Sequence, residues 1–137
     1  MLQQASELEA VQTIAEQVEL DAPSLQAPVE VLSGGNQQKV YLSRCGLAHP
    51  KVLLLDEPTR GVDIGAKADI YALLRRWADQ GVAIILTTSE IDELLSLSDQ
   101  IIVLHRGRVA ATIDGTVATR HGVFQAAAGT SETGGPQ

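Results

Sequence analysis

The 137-residue chain has a single cysteine, Cys45, so no internal disulfide framework is available and a reducing compartment fits. Cys45 falls in an apolar helical stretch and reads as a packing residue. Aromatic residues make up 3% of the chain against 45% hydrophobic residues, so the core must be aliphatic. Basic residues are too few for a broad nucleic-acid surface. The net charge of −7 also opposes adsorption to anionic lipid. No apolar run approaches the roughly 20 residues that span a bilayer. Met1-Leu2-Gln3-Gln4 lacks the basic and apolar regions of a signal peptide. Together these absences lead one to expect a soluble cytoplasmic protein that meets a membrane only through a partner. The lysines are Lys39, Lys51 and Lys67, none after a glycine, so the phosphate-gripping pattern G-x-x-x-x-G-K-[ST] occurs nowhere. The histidines, His49, His105 and His121, have no metal-ligand spacing and read as surface or packing residues.

What is present is an alternation of helical and strand patterns. Leu8, Val11, Ile14, Ala15 and Val18 recur at helical spacing and predict an amphipathic helix over Glu7–Val18. Asp21 to Pro28 holds two prolines and reads as a loop. A second helix is expected from Ser33-Gly34-Gly35 to about Ala48, ended by His49-Pro50. Val52–Leu55 and Val82–Leu86 read as strands buried on both faces. Between them a loop is expected over Thr59–Gly65. A helix then follows with Ile70, Leu73, Leu74 and Trp77 on one side, and Gly81 punctuates it. A short helix from Ser89 to about Leu97 precedes two strands, Gln100–Leu104 and Val109–Ile113, joined by a turn at Arg106-Gly107. Thr119–Ala128 is expected to form a last helix. The alternation predicts an α/β fold, a parallel sheet with flanking helices. Residues 130–137 are expected to be a disordered tail.

Two segments carry chemistry. In Leu32-Ser33-Gly34-Gly35-Asn36-Gln37-Gln38-Lys39, the glycines let backbone approach a ligand. A helix starting there also directs free N–H groups and its positive dipole end outward. Ser33 adds a hydroxyl. The set suits a phosphate, and an ordinary N-cap by Ser33 with turn-forming glycines is the alternative. In Val52-Leu53-Leu54-Leu55-Asp56-Glu57-Pro58-Thr59, two carboxylates end a hydrophobic strand, where α/β proteins bind ligands. Asp56 fits a Mg²⁺ ligand, directly or through water, and Glu57 fits the general base for an attacking water. A solvated acidic pair is the alternative. Ser89, with Asp92 three residues on, resembles a capping arrangement before a short helix. Asp63 is a candidate cap for the helix that follows it.

In this order and spacing, the two segments resemble the signature motif and Walker B strand of an ATP-binding-cassette (ABC) ATPase. The resemblance covers about Leu20 to Gly129. It is nearest to the second cassette of bacterial carbohydrate importers with two cassettes on one polypeptide, of the ribose, galactose and xylose type. Leu32 to Lys39, Leu55 to Lys67 and Thr88-Ser89-Glu90 before Leu94-Leu95-Ser96-Leu97-Ser98-Asp99 carry it. Arg60-Gly61-Val62-Asp63 matches the D-loop, which in this family helps to join two cassettes, so Asp63 has that role open beside capping. Most ABC ATPases place a γ-phosphate-contacting histidine where this chain has Ser89. The carbohydrate subfamily also lacks that histidine, and serine donates a hydrogen bond without carrying charge.

The resemblance implies a P-loop NTPase-like core, incomplete here because the half with Walker A is absent. It divides the chain into residues 1–28, the end of a helical subdomain and linker, residues 29–129, the C-terminal part of the nucleotide-binding domain, and the tail. It implies ATP and Mg²⁺ as cofactors of the complete protein. Glu57 and Ser89 are then catalytic, Asp56 is the metal ligand, and Ser33, Gly34, Gly35, Asn36 and Asp63 face the nucleotide. The implied partners are a first cassette or missing N-terminal half and a membrane permease. The protein would lie peripherally on the inner face of the plasma membrane, without inserting and without nucleic acid. Without Walker A, the chain alone is expected to be inactive. Two other classes fit the same residues: a non-enzymatic half-cassette, and a soluble ABC ATPase of another process such as translation or DNA repair. The repair case is expected to show long flanking coiled-coil heptads, which are not present.

Overall fold

The structure, a computed structural model, describes residues 2–129, with side chains from residue 7 onward. The expected tail at 130–137 lies outside the described residues. The chain forms two units, one ending at Thr87 and the other beginning at Thr88.

In the first unit, α1 (Leu2–Gln17) is followed by a loop and a single 3₁₀ turn at Val29–Val31. Next come α2 (Gly34–Leu47), β1 (Val52–Asp56), α3 (Ile64–Asp79) and β2 (Ala83–Thr87). β1 and β2 pair in parallel, from Val52 against Ala83 to Asp56 against Thr87. Ile70, Leu73, Leu74 and Trp77 are all buried, as their helical spacing predicts. α3 starts at Ile64, inside the expected loop, because Asp63 Oδ1 accepts a hydrogen bond from the Ala66 amide at 3.0 Å and caps the helix there.

The strands are not buried on both faces, as their continuous apolar runs predicted. Leu53 and Leu55 are buried, but Leu54 is 71% exposed and Ile85 59%. The physical reason is the narrowness of the sheet. With two strands, alternate side chains point to opposite faces, and the described elements cover only one of them.

Charged groups hold the helices of this unit together. Lys39 of α2 is 5% exposed. Its Nζ donates to Asp69 Oδ2 of α3 at 2.8 Å and to the Glu19 carbonyl at 3.0 Å. Arg76 Nη2 donates to the Gln17 carbonyl at 2.6 Å. Two cations from α2 and α3 therefore satisfy carbonyls at the C-terminal end of α1, where the helix dipole is negative. Gly46 of α2 sits against the Trp77 ring, and a Cβ there would lie 2.7 Å from Trp77 Cζ2.

In the second unit, α4 (Ile91–Leu97) leads to an antiparallel hairpin of β3 (Gln100–His105) and β4 (Arg108–Asp114), closed by α5 (Arg120–Ala128). Arg106 and Gly107 both have positive φ, 48° and 74°, the tight-turn conformation expected at this position. Ile101 and Val103 of β3 form a core with Val123 and Ala126 of α5. Thr119 caps α5 through the Gly122 amide at 3.1 Å. Asp114 closes the end of β4, and its hydrogen bonds from the Thr116 hydroxyl and amide hold its carboxyl below the usual range.

The Lys39 ion pair is asymmetric, because Lys39 is buried while the Asp69 side chain is 43% exposed. Asp69→Asn removes the counter-charge of a buried cation, leaving it the Glu19 carbonyl, and is expected to cost about 3 kcal/mol. Lys39→Met keeps the apolar stem and leaves an anion that water can reach, so it is expected to cost clearly less. Urea unfolding of both variants checks this. Equal losses would mean that burial does not set the cost.

Candidate functional site

The N-terminal end of α2 is built by side chains that bond to backbone and to one another. Ser33 Oγ accepts from the Asn36 amide at 3.3 Å and from Asn36 Nδ2 at 3.1 Å. Asn36 Oδ1 accepts from the Asp21 amide at 3.2 Å and ties the preceding loop to the helix. Ser33 is thus an N-cap, and its hydroxyl proton remains available to a ligand. The Asn36 amide is served by Ser33, which leaves the N–H groups of Gly34 and Gly35 without intrahelical acceptors.

The two glycines differ. Gly35 is buried, and a Cβ there would lie 2.4 Å from Ala66 Cβ and 3.6 Å from both Asp63 Oδ2 and Val62 Cγ1. Gly35 is therefore required for the close approach of α2 to the start of α3. Gly34 is exposed, and its nearest neighbour at that position is the Gly61 carbonyl at an ordinary 3.6 Å. Space for a side chain thus exists at Gly34 and not at Gly35. Ser33–Asn36 and Gly61–Asp63 are thus brought together. Beside them lies a groove of about 560 Å³, whose lining includes Gly34, Gln37, Arg44 and Arg60.

Asp56 and Glu57 stand at the C-terminal end of β1. Asp56 is exposed, and its Oδ1 accepts the Thr87 hydroxyl proton. Glu57 is half-buried, and its amide donates to the Thr87 carbonyl at 2.8 Å. Glu57 has φ 47°, in the left-handed region that costs a non-glycine residue of order 1 kcal/mol or more. The Arg60 amide bonds the Glu57 carbonyl at 3.1 Å, and Pro58 and the fully buried Thr59 fix the turn that follows.

Among the described residues, no group of three or more His, Cys, Asp or Glu side chains is arranged to hold a metal ion. An exposed carboxylate with one oxygen engaged still suits Mg²⁺ brought with a nucleotide. That ion takes one or two carboxylates plus phosphate oxygens and water in preference to an all-protein cage.

Ser89 lies in the second unit and is exposed. The capping position of α4 is Glu90, not Ser89, and the Glu90 side chain makes no capping bond. The local bond belongs to Thr88, whose Oγ1 accepts from the Glu90 amide at 3.0 Å. The helix begins one residue later than the spacing of Ser89 and Asp92 implied.

Sequence reasoning missed Thr87, Lys39 and the packing role of Gly35. The signal for Thr87 was present: two parallel strands of similar length put their polar terminal residues side by side.

The family described as ABC transporter matches residues 3–60. A putative ribose/galactose/methyl galactoside import ATP-binding protein of Geobacillus kaustophilus (strain HTA426) is 48% identical over 93% of this chain and 25% of its own length. The xylose import ATP-binding protein XylG of the same strain is 43% identical over 94% of this chain and 26% of its own. The chain spans about a quarter of the length of these curated relatives. Among solved structures, the ATP-binding cassette MJ0796, in a dimeric post-hydrolysis state bound to ADP and Pi, is 25% identical. It superposes with TM-score 0.68 over 77% of this chain and 46% of that one. The α/β fold is that of part of an ABC ATPase cassette, and the chain is similar to ATP-binding proteins of the ABC transporter family.

Proposed function

We propose that the chain forms the signature, Walker B and D-loop part of a carbohydrate-importer ATP-binding subunit. Its role there is to help couple ATP hydrolysis to sugar uptake through a membrane permease. The observation that carries this reading is the pair Asp56 and Glu57 at the C-terminal end of a parallel strand, held by the neighbouring strand. The names of the relatives supply the sugar. Asp56 would hold Mg²⁺, which supplies charge neutralisation to the phosphates. Glu57 accepts the proton of the attacking water. The exposed tip of α2, with Ser33, Gly34, Gly35 and Asn36, presents amides and a hydroxyl to a terminal phosphate. Asp63, while capping α3, faces a second cassette. In the second unit, the same reading gives Ser89 a hydrogen bond to phosphate. No helix among the described residues is long and apolar enough to cross a membrane, which agrees with a peripheral place on the cytoplasmic face through the permease.

The test joins this chain to the P-loop-bearing front of a carbohydrate-importer cassette and measures phosphate release, with the unjoined chain as the blank. Glu57→Gln keeps the shape of the side chain and removes the base. It is expected to lower turnover roughly 10²–10⁴-fold while nucleotide binding persists. Turnover close to that of the unsubstituted protein would remove Glu57 from the role of base.

The two glycines separate folding from ligand contact. Gly35→Ala is expected to lower the melting temperature, since its Cβ would overlap Ala66. Gly34→Asp is expected to leave the melt intact, because an acid in the first helical turn suits the dipole. It should nevertheless abolish turnover by repelling phosphate. If Gly34→Asp hydrolysed ATP normally, the tip of α2 would face no nucleotide.

A further inference from the structure

We propose that Thr87 is a positioning residue for the metal-binding carboxylate of Asp56, a role that rests on the functional reading above. The parallel register sets Thr87 directly beside Asp56 at the ends of β2 and β1. Its hydroxyl donates to Asp56 Oδ1, and its carbonyl accepts the Glu57 amide at 2.8 Å. One residue therefore holds the side chain of the first carboxylate and the backbone of the second.

The side-chain bond matters because Asp56 is exposed, and among the described residues the Thr87 hydroxyl is the group that holds its carboxylate. An unrestrained aspartate samples several rotamers. Mg²⁺ and Mn²⁺ need ligand oxygens in near-octahedral positions, and Mg²⁺ tolerates little deviation. With a single carboxylate from the protein, the orientation of that carboxylate is the part of the geometry the protein controls. Hydrogen bonds to ligating carboxylates are worth about 10–100-fold in metal affinity, and the exposure of this pair places it at the low end.

A structural role for Thr87 makes a different demand. A β-branched residue at a strand end serves the sheet whether or not it carries a hydroxyl. Valine preserves the shape and removes the donor, and serine preserves the donor and removes the methyl.

The test titrates Mn²⁺ with ADP into the ¹⁵N-labelled chain joined to the P-loop-bearing front described above, so that phosphate oxygens complete the coordination, and follows paramagnetic broadening of the Leu55 and Glu57 amides. Thr87→Val is expected to require about tenfold more Mn²⁺ for the same broadening, with an unchanged circular dichroism spectrum. Thr87→Ser is expected to restore the response. Thr87→Ala supplies the same loss of donor should the valine variant fold poorly. Asp56→Asn is expected to abolish the broadening. If Asp56→Asn responds like the unsubstituted chain, or if the unsubstituted chain shows no broadening at these amides, the metal assignment of Asp56 falls and this inference with it. If Asp56→Asn abolishes the response while Thr87→Val and Thr87→Ala leave it unchanged, Asp56 keeps its role and Thr87 loses the one proposed here. Failure of Thr87→Ser to recover the response would likewise show that the hydroxyl is not what matters.

Discussion

The buried ammonium of Lys39 is the constraint on which the first unit depends. A charge held at 5% exposure costs several kcal/mol unless it is paired and fully hydrogen-bonded. Its partners come from two different elements, the carboxylate of Asp69 in α3 and the carbonyl of Glu19 just after α1. Apolar packing tolerates small sliding, but a hydrogen bond at 2.8 Å does not. The rotation of α2 is therefore fixed against α3 and against the end of α1. That rotation decides which face of the Ser33–Asn36 turn meets Gly61–Asp63 and which stays open. The placement of the α2 tip thus follows from a charge about one and a half turns along the same helix.

At that tip, residues that resemble binding groups are largely occupied with structure. Ser33 caps, Asn36 bonds Ser33 and Asp21, Asp63 caps α3, and Gly35 makes room for Ala66. What remains for a ligand is mostly backbone, the amides of Gly34 and Gly35, together with one hydroxyl proton. This division makes sense for a site that recognises phosphate. Backbone donors at a helix terminus are pre-aimed and lose no rotamer freedom on binding. The side chains contribute by holding them still. Capping and ligand binding, which the sequence presents as alternatives for Ser33 and Asp63, are compatible uses of one geometry.

The sequence disclosed elements and motifs well because those depend on local patterns. The four residues Ile70, Leu73, Leu74 and Trp77 define the buried side of α3 by spacing alone, and Arg106-Gly107 defines a tight turn by the conformations it permits. Burial of the strands was not legible, since an apolar run records what a strand can bury, not what covers it. Leu54 and Ile85 show that difference. Ser89 failed as a cap for another reason. A capping pattern can be satisfied by a neighbour, and here Thr88 takes the local bond while the helix starts after Glu90. The partner of Lys39 lies 30 residues away, and no local pattern announces it. The left-handed backbone of Glu57 was equally hidden, because it arises where β1 must turn while still paired to Thr87.

An acidic chain that is read as meeting a polyanion faces an electrostatic objection, and distance answers it. The net charge of −7 is spread over the whole sequence. At physiological ionic strength, exposed charges are screened beyond about 8 Å, so most of that charge is not felt at one turn of helix. What a phosphate meets locally is the positive end of the α2 dipole, two amides and a groove whose lining includes Arg44 and Arg60. The carboxylates Asp56 and Glu57 present the opposite problem, since they repel phosphate at short range. That repulsion is the reason the reading requires a divalent cation at Asp56. Without one, the same strand end that supplies a base for water would drive away the group the water must attack.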